Sequence, residues 1–178
     1  ANSGLGVGGT GADPSAPPLP ASQQVITDPA PYQPWAAARV LESFKKRGFD
    51  DPVGLCLPAG VPRPSIVGLF PIQIVQTATE LLFLYEDVSG PFFRIVPLRP
   101  GVIRQDDSPS YRGDATGRWG GDTLVVETGN FNDLTWLWDN GAFHTEALKV
   151  TETLVRRGNE IEDRAVVHGQ AVPHRNHV

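Results

Sequence analysis

Five side chains suited to acid–base or ion-pair chemistry lie near predicted strand ends in the second half of the chain. His144 and Glu146 are two residues apart, so in an extended strand they would point the same way and form a His–carboxylate pair. Asp114 and Arg118 would form an ion pair at a barrel mouth, where ligand sites of β-barrels tend to lie. A surface salt bridge is the alternative explanation for Asp114 and Arg118, and a hydrogen-bonded loop histidine is the alternative for His144. The candidate set for a small-molecule enzyme or binding protein is Asp114, Arg118, Glu127, His144 and Glu146.

Other catalytic or metal-binding patterns are weak in this chain. His174 and His177 are three residues apart, but no acidic residue lies between them, and a metal site needs several convergent ligands. Cys56 is the sole cysteine, which excludes a disulfide framework and an iron–sulfur cluster, and we expect it to be a small buried residue. No serine is marked as a nucleophile, and neither GxGxxG after a strand nor a P-loop lysine occurs. The sequence therefore predicts no metal and no cofactor, and favours a non-catalytic protein over an enzyme.

Composition limits the kinds of partner. The formal net charge is -5 and charged residues make up 20% of the chain, which argues against nucleic acid binding. The longest apolar run, Leu81 to Tyr85, is strand-sized and too short to span a membrane. The chain begins with a small residue, Ala1, and contains no Met, which fits removal of a secretory signal. We expect an exported, periplasmic protein that associates with a membrane peripherally, through partners.

The elements predicted from periodicity divide the chain into three parts. These are an N-terminal arm (residues 1–34), a domain of one helix followed by strands (35–169) and a C-terminal tail (170–178). Apolar residues at helical spacing predict a helix from Trp35 to Arg47. The Pro/Gly-rich stretch 50–64 is predicted to lack regular structure. Short β-branched and aromatic runs with turn signals between them predict strands at 71–77, 80–86, 91–98, 116–121, 122–131, 146–157 and 160–169.

Sequential hairpins of this kind predict a mainly β domain. The strands would form an antiparallel meander that is curled or closed so that few edges stay exposed. Gly120-Gly121-Asp122 and Arg157-Gly158-Asn159 are the clearest hairpin turns. No βαβ alternation and no internal repeat is present.

The N-terminal arm is the segment least able to fold alone. Its only charges are Asp13 and Asp28, and it has few side chains that would fill a core. We therefore expect a partner to hold it, by main-chain pairing and apolar contacts. Aromatic side chains are enriched at interfaces, so Trp136 and Trp138 are a further candidate docking face, with core packing as the alternative for one of them. The predicted partner-binding residues are Leu5, Val7, Pro17, Pro18, Leu19, Pro20, Trp136 and Trp138.

Several strings resemble a group of exported proteins of soil bacteria. They are DPVGLCLPAGVPR, PIQIVQT, LLFLYED, SYRGDATGRWGGDTLVVETGNFND and HTEALKVTETLVRR, and they span residues 50 to 157. The resemblance implies a calycin-like barrel or half-barrel without implying a reaction. The family pattern places histidines in the polar loop before Tyr111, after Gly113 and at position 149, and this chain has none of them. Only His144 remains, which weakens a hydrolase, lyase or isomerase function.

The chain is similar in character to accessory subunits of bacterial photosynthetic reaction-centre–light-harvesting complexes. The similarity rests on the arm, the altered histidine positions and the predicted export. That similarity implies a structural subunit on the periplasmic face, whose arm braces neighbouring subunits. It implies no direct pigment binding, since no apolar helix carries a ligand histidine. The alternative is a periplasmic small-molecule enzyme or binding protein.

Overall fold

The computed structural model describes residues 33–67, 71–86, 92–98 and 108–169. This part of the chain is mainly β, with two antiparallel sheets and a few helices of which only one is longer than five residues. Most of the predicted partner-binding positions lie outside the described residues, as does the tail at 170–178. The positions concerned are Leu5, Val7, Pro17, Pro18, Leu19 and Pro20.

The predicted N-terminal helix is confirmed as α1, Pro34–Lys45. Pro34 stands in the first turn, where its missing N–H has no helical partner to lose. Ala36 and Val40 are its buried residues. The short helix α2, Arg47–Asp50, follows directly.

The Pro/Gly-rich stretch at 50–64 was predicted to lack regular structure, and that prediction is wrong in part. A 3-10 helix covers Val53–Leu55, and helix α3, Arg63–Val67, begins within the stretch. Prolines are compatible with both helices because each proline stands just before a helix or in its first turn. The Arg63 guanidinium donates to both carboxylate oxygens of Asp51, at 2.8 and 2.7 Å, and holds the two ends of the stretch together.

Cys56 is exposed, so the expectation of a buried cysteine is wrong. It ends the 3-10 helix with φ 63°, in the left-handed region. Cys56 stands on a turn at the surface. The backbone conformation of that turn leaves the thiol exposed despite its apolar character.

Seven strands follow the predicted meander within each sheet. In the first sheet β1, β2 and β3 pair in sequence order, and in the second β4, β5, β6 and β7 do so. Gly121 and Gly158 occupy the tight hairpin turns with positive φ, which glycine adopts without steric cost. The strands are β1 Ile72–Gln76, β2 Glu80–Tyr85, β3 Phe92–Pro97, β4 Asp114–Gly120, β5 Thr123–Gly129, β6 Lys149–Arg157 and β7 Glu160–His168.

The two sheets share one core but do not close into a barrel. β3 lies alongside β4, yet no ladder of backbone hydrogen bonds joins them within the described ranges. Gly117 permits the approach, because a Cβ there would stand 2.9 Å from Val96 Cγ1. We call the face of each sheet that carries the shared core its inner face. The buried members of this core are Leu81, Phe83, Tyr85, Val96, Ala115, Leu124, Val126 and Leu154.

A second apolar cluster covers the inner face of β6 at the end where that strand begins. It consists of Val61, Phe131, Leu137, Ala142, Leu148 and Val150. Trp136 is 8% exposed, and Trp138 packs against this cluster. Both tryptophans therefore contribute packing to the domain, and a docking role for them stays a prediction.

Candidate functional site

Three of the five predicted catalytic candidates lie on the outer face of the four-stranded sheet. Arg118 Nη2 is 3.8 Å from Glu127 Oε1, and both side chains are more than half exposed. Asp114 lies at the start of β4 and accepts a hydrogen bond from Asn130 Nδ2 at 2.7 Å. Since strand neighbours alternate between faces, these three side chains point away from the shared core. Arg118 and Glu127 therefore cannot line a site between the sheets, whereas Asp114, at the start of β4, lines a groove together with Arg94.

His144 lies in the loop before β6, and both of its ring nitrogens are occupied. Nδ1 is 3.1 Å from the carbonyl oxygen of Thr145, to which it donates, so Nε2 accepts from the Thr135 hydroxyl at 2.7 Å. Burial lowers the pKa of His144, which favours this neutral form. Glu146, two residues on, is exposed in the same loop. The arrangement is that of a histidine holding a loop in place.

The outer face of the three-stranded sheet is apolar, which the sequence analysis did not anticipate. Directly opposite residues of paired strands share a face, so Val75, Leu82 and Ile95 form one row, and Leu84 and Phe93 belong to the next. Phe93 is 57% exposed and Ile95 44%. We call these five residues the apolar outer face. The inner face of the same sheet is also apolar, so the sheet has the pattern of one covered on both sides.

A groove of about 470 Å³ adjoins the apolar outer face. Phe93, Ile95 and Pro97 of β3 form one wall, and the segment 110–115 forms the other. The Arg112 guanidinium lies 4.0 Å from the ring centre of Phe92, and its Nη1 donates to the Phe93 carbonyl oxygen at 3.4 Å. The groove thus combines apolar side chains with the charged side chains of Arg94, Arg112 and Asp114.

A buried ion pair crosses between the sheets on their inner faces. Arg94 Nη2 of β3 is 2.5 Å from Glu152 Oε2 of β6 and donates to Thr128 Oγ1 of β5 at 2.6 Å. The two charged side chains are 4% and 2% exposed. Burial alone would lower the pKa of Arg94, but Glu152 and the hydrogen-bonded Tyr85 together outweigh it, and the pKa lies above its usual value. The pair is therefore charged, and it links the two sheets where no backbone ladder does.

Two further titratable groups face this ion pair. Burial raises the pKa of the Tyr85 hydroxyl more than the neighbouring Arg94 lowers it, and that hydroxyl is 3.2 Å from Ser65 Oγ. Asp163 of β7 faces the same space, since Leu154 opposite it belongs to the shared core. Burial of the carboxyl group, and then repulsion from the Glu152 carboxylate, raise the pKa of Asp163 to about 7. The inner faces therefore hold a connected set of perturbed polar groups, which is a common property of functional sites.

The sequence contained a signal for the ion pair that was not used. Arg94 follows Phe92 and precedes Val96 at the two-residue spacing of one strand face, and Glu152 stands likewise between Val150 and Leu154. Two opposite charges at inward positions of apolar strands predict a buried pair. Asp163 gave no such signal, because β7 is polar along most of its length.

Comparison with protein-family models, with curated proteins and with solved structures found no match for this chain. Among the described residues, no three His, Cys, Asp or Glu side chains are grouped in a way that would hold a metal ion. None of the helices in the described ranges has the length and apolar character needed to cross a membrane.

Proposed function

We propose that this protein is a non-catalytic accessory subunit that docks on another protein through the apolar outer face of its three-stranded sheet. The observation that supports this is the two-sided apolar character of that sheet. Phe93 and Ile95 are large side chains about half exposed on a regular strand, beside a groove that continues the same surface. Contiguous apolar surface of this kind is typical of protein interaction sites.

The proposed partner surface is mainly apolar. Arg112 lines the groove beside Phe93, and arginine beside aromatic side chains is the composition typical of interface centres. The chain's overall charge of -5 would disfavour an acidic partner, so apolar contact and shape supply most of the proposed affinity. The N-terminal arm would add contacts by running along neighbouring subunits.

The setting we propose follows from the resemblances in the sequence. The domain would be exported, would have a calycin-like fold and would sit on the periplasmic face of a membrane complex of the photosynthetic reaction-centre–light-harvesting class. Its role there would be to brace neighbouring subunits, without binding pigment itself.

Co-purification with matched variants tests this proposal. The outer-face variant carries Phe93→Ser and Ile95→Ser, and its control carries Val125→Ser and Val155→Ser, which are apolar positions on the outer face of the other sheet. The tagged full chain is expressed in the source organism, and the partner subunits retained from solubilised membranes are quantified. We expect the outer-face variant to retain less than a tenth of the partner bound by the wild type and the control to retain all of it. Equal retention by both variants would refute docking through this face.

The contribution of the arm is tested separately by deleting residues 1–32, which precede α1. We expect a folded domain by circular dichroism with reduced co-purification. Full retention of the complex by the truncated chain would remove the arm from the proposal and leave the sheet as the docking element.

A further inference from the structure

The three-stranded sheet ends in an open edge at β1. Among the described residues, β1 pairs with β2 alone. At one end of that ladder Thr77 N donates to the Glu80 carbonyl oxygen, and at the other Glu86 N donates to the Pro71 carbonyl oxygen. Since hydrogen-bonded pairs alternate along an antiparallel ladder, the odd-numbered residues of β1 direct their backbone groups toward β2 and the even-numbered residues direct theirs away. The outward N–H and C=O groups are those of Ile72, Ile74 and Gln76.

The inward side chains of this edge strand are incompletely covered. Ile72 and Ile74 lie on the inner face, directly opposite Tyr85 and Phe83 of β2. Tyr85 and Phe83 are buried, yet both isoleucines are 36% exposed. The described chain therefore covers the middle of this sheet and leaves the inward isoleucines of its edge partly in water. A further strand beside β1 would remove apolar surface from water, which favours its addition.

The edge strands of the two sheets differ in charge. β7, at the edge of the four-stranded sheet, carries four charged side chains among its first five residues. Charge on an edge strand opposes pairing with another chain. β1 reads IQIVQ, and the sequence has no charged residue between Arg63 and Glu80. β1 therefore lacks the protection against edge-to-edge pairing that β7 has.

β1 is complementary to itself when two copies run antiparallel. With Ile74 of one copy opposite Ile74 of the second copy, each Ile72 lies opposite a Gln76. In this register every outward N–H group of β1 meets an outward carbonyl group of the other strand. No like charges meet, because the strand is uncharged. The same patch then serves both copies about a two-fold axis at Ile74, as the commonest class of homodimer requires.

We propose that a second copy of this chain pairs with β1 and joins the two three-stranded sheets into one continuous antiparallel sheet. Opposite residues of paired strands share a face, so the inward isoleucines of both copies meet and the two apolar outer faces lie side by side. A single strand edge buries less area than a standard interface of about 1,600 Å², so we expect a reversible dimer with a Kd of about 10–100 µM. Dimerisation needs no other protein, so it can fail without affecting the docking proposed above, and docking can fail without affecting it.

Sedimentation equilibrium of the full chain tests the dimer. We expect mainly monomer at about 2 µM and mainly dimer at about 500 µM. Hydrogen exchange of the outward N–H groups at 72, 74 and 76 should slow about fourfold or more between these concentrations. Exchange at Gln73 and Val75, whose N–H groups already face β2, should change little. Monomer throughout this range would refute the pairing, and a dimer that forms only after deletion of residues 1–32 would place the arm on β1 in place of a second copy.

Charges placed at the two-fold axis test the register. Ile74→Lys and Ile74→Glu each bring like charges together, and either should weaken the homodimer at least tenfold. An equimolar mixture of the two variants should form a heterodimer at least fivefold tighter than either homodimer. Ile74→Pro removes the central outward N–H, which the ladder to β2 does not use, and provides a further variant should the charged ones fail to fold. A dimer that survives this change in a folded chain would overturn the proposal.

Two controls locate the contact. Ile161→Lys makes the same change on the edge strand β7, and Phe93→Ser with Ile95→Ser alters the apolar outer face. We expect both to dimerise like the wild type, with folding checked by circular dichroism. Loss of the dimer in a folded control would place the contact on β7 or on the outer face and would overturn pairing through β1.

Discussion

The two sheets differ in what their outer faces are made of. On the three-stranded sheet that face carries Val75, Leu82, Leu84, Phe93 and Ile95, with Gln73 of β1 opposite Leu84 and Glu80 at the start of β2 as its polar members. On the four-stranded sheet it is mainly threonine and charge, with isolated valines. The outward residues there include Thr116, Arg118, Glu127, Thr151, Thr153, Glu162 and Arg164.

Both sheets contribute inner faces to the same core, so the requirement to fold cannot explain this difference. The four-stranded sheet has the pattern of an ordinary one-sided sheet, apolar toward the core and polar toward water. The three-stranded sheet has a second apolar side that folding of the described residues does not use. Apolar residues that folding of the described chain does not require are therefore concentrated on the outer face of the three-stranded sheet. That is the face on which we propose that the partner docks.

The largest expected effect concerns the ion pair that joins the two sheets. Glu152→Leu alone leaves the Arg94 charge buried without its partner, and we expect it to destabilise the domain by about 3–5 kcal/mol. Combining it with Arg94→Met should recover most of that loss. Guanidinium chloride unfolding of the two variants measures both numbers. A mild effect of the single variant would show that the sheets are held together independently of the pair.

Neighbouring residues of β3 allow the two faces of the three-stranded sheet to be compared directly. Val96 is fully buried on the inner face, and Val96→Ala should cost about 2 kcal/mol in free energy of unfolding. Ile95 is 44% exposed on the outer face, and Ile95→Ala should cost less than about 1 kcal/mol, although it removes more carbon atoms. Thermal or chemical denaturation distinguishes the two. Equal losses would mean that the outer face is already covered within the free chain.

The smallest expected effect concerns Asp163 and depends on pH. Its pKa is raised to about 7 in the folded protein, so the folded chain binds a proton that the unfolded chain releases near pH 4. Stability should therefore fall as the pH rises from about 4 to about 7 and then level off. Asp163→Asn should remove this loss and stabilise the domain by about 1 kcal/mol at pH 8, a modest figure because the side chain still meets solvent.

The control for this measurement is Asp122→Asn, an exposed carboxylate in the β4–β5 turn. Unfolding curves at pH 4 and pH 8 should show a pH-dependent gain for position 163 and none for position 122. A gain of the same size at both pH values would contradict the raised pKa.

Much of the fold could be predicted from local patterns. The helix beginning at Pro34 and the hairpin turns at Gly121 and Gly158 depend on residues close in sequence, which propensity and periodicity capture. The meander within each sheet followed from the same signals. Cys56 was misjudged because its exposure depends on a left-handed turn that residue type does not reveal.

The candidate sites were harder to predict because they depend on contacts between distant strands. Arg94 and Glu152 are 58 residues apart, and their meeting requires the relative placement of two sheets that no local pattern determines. The apolar outer face was present in the runs around Leu82 and Phe93, but alternation alone does not show which side of a two-sided apolar strand faces the core. Residues chosen for their chemistry, such as Arg118 and Glu127, proved to lie on the outer surface.

Gly117 allows the two sheets to approach each other closely at β3 and β4. Among the described residues, β3 and β4 meet through side chains and not through a backbone ladder, so side-chain volume at this contact helps to set the distance between the sheets. Any side chain at position 117 would press on Val96 and force the strands apart. One substitution there would move the two sheets apart while leaving the hairpins within each sheet intact, so the spacing of the sheets can change independently of the strand pairing.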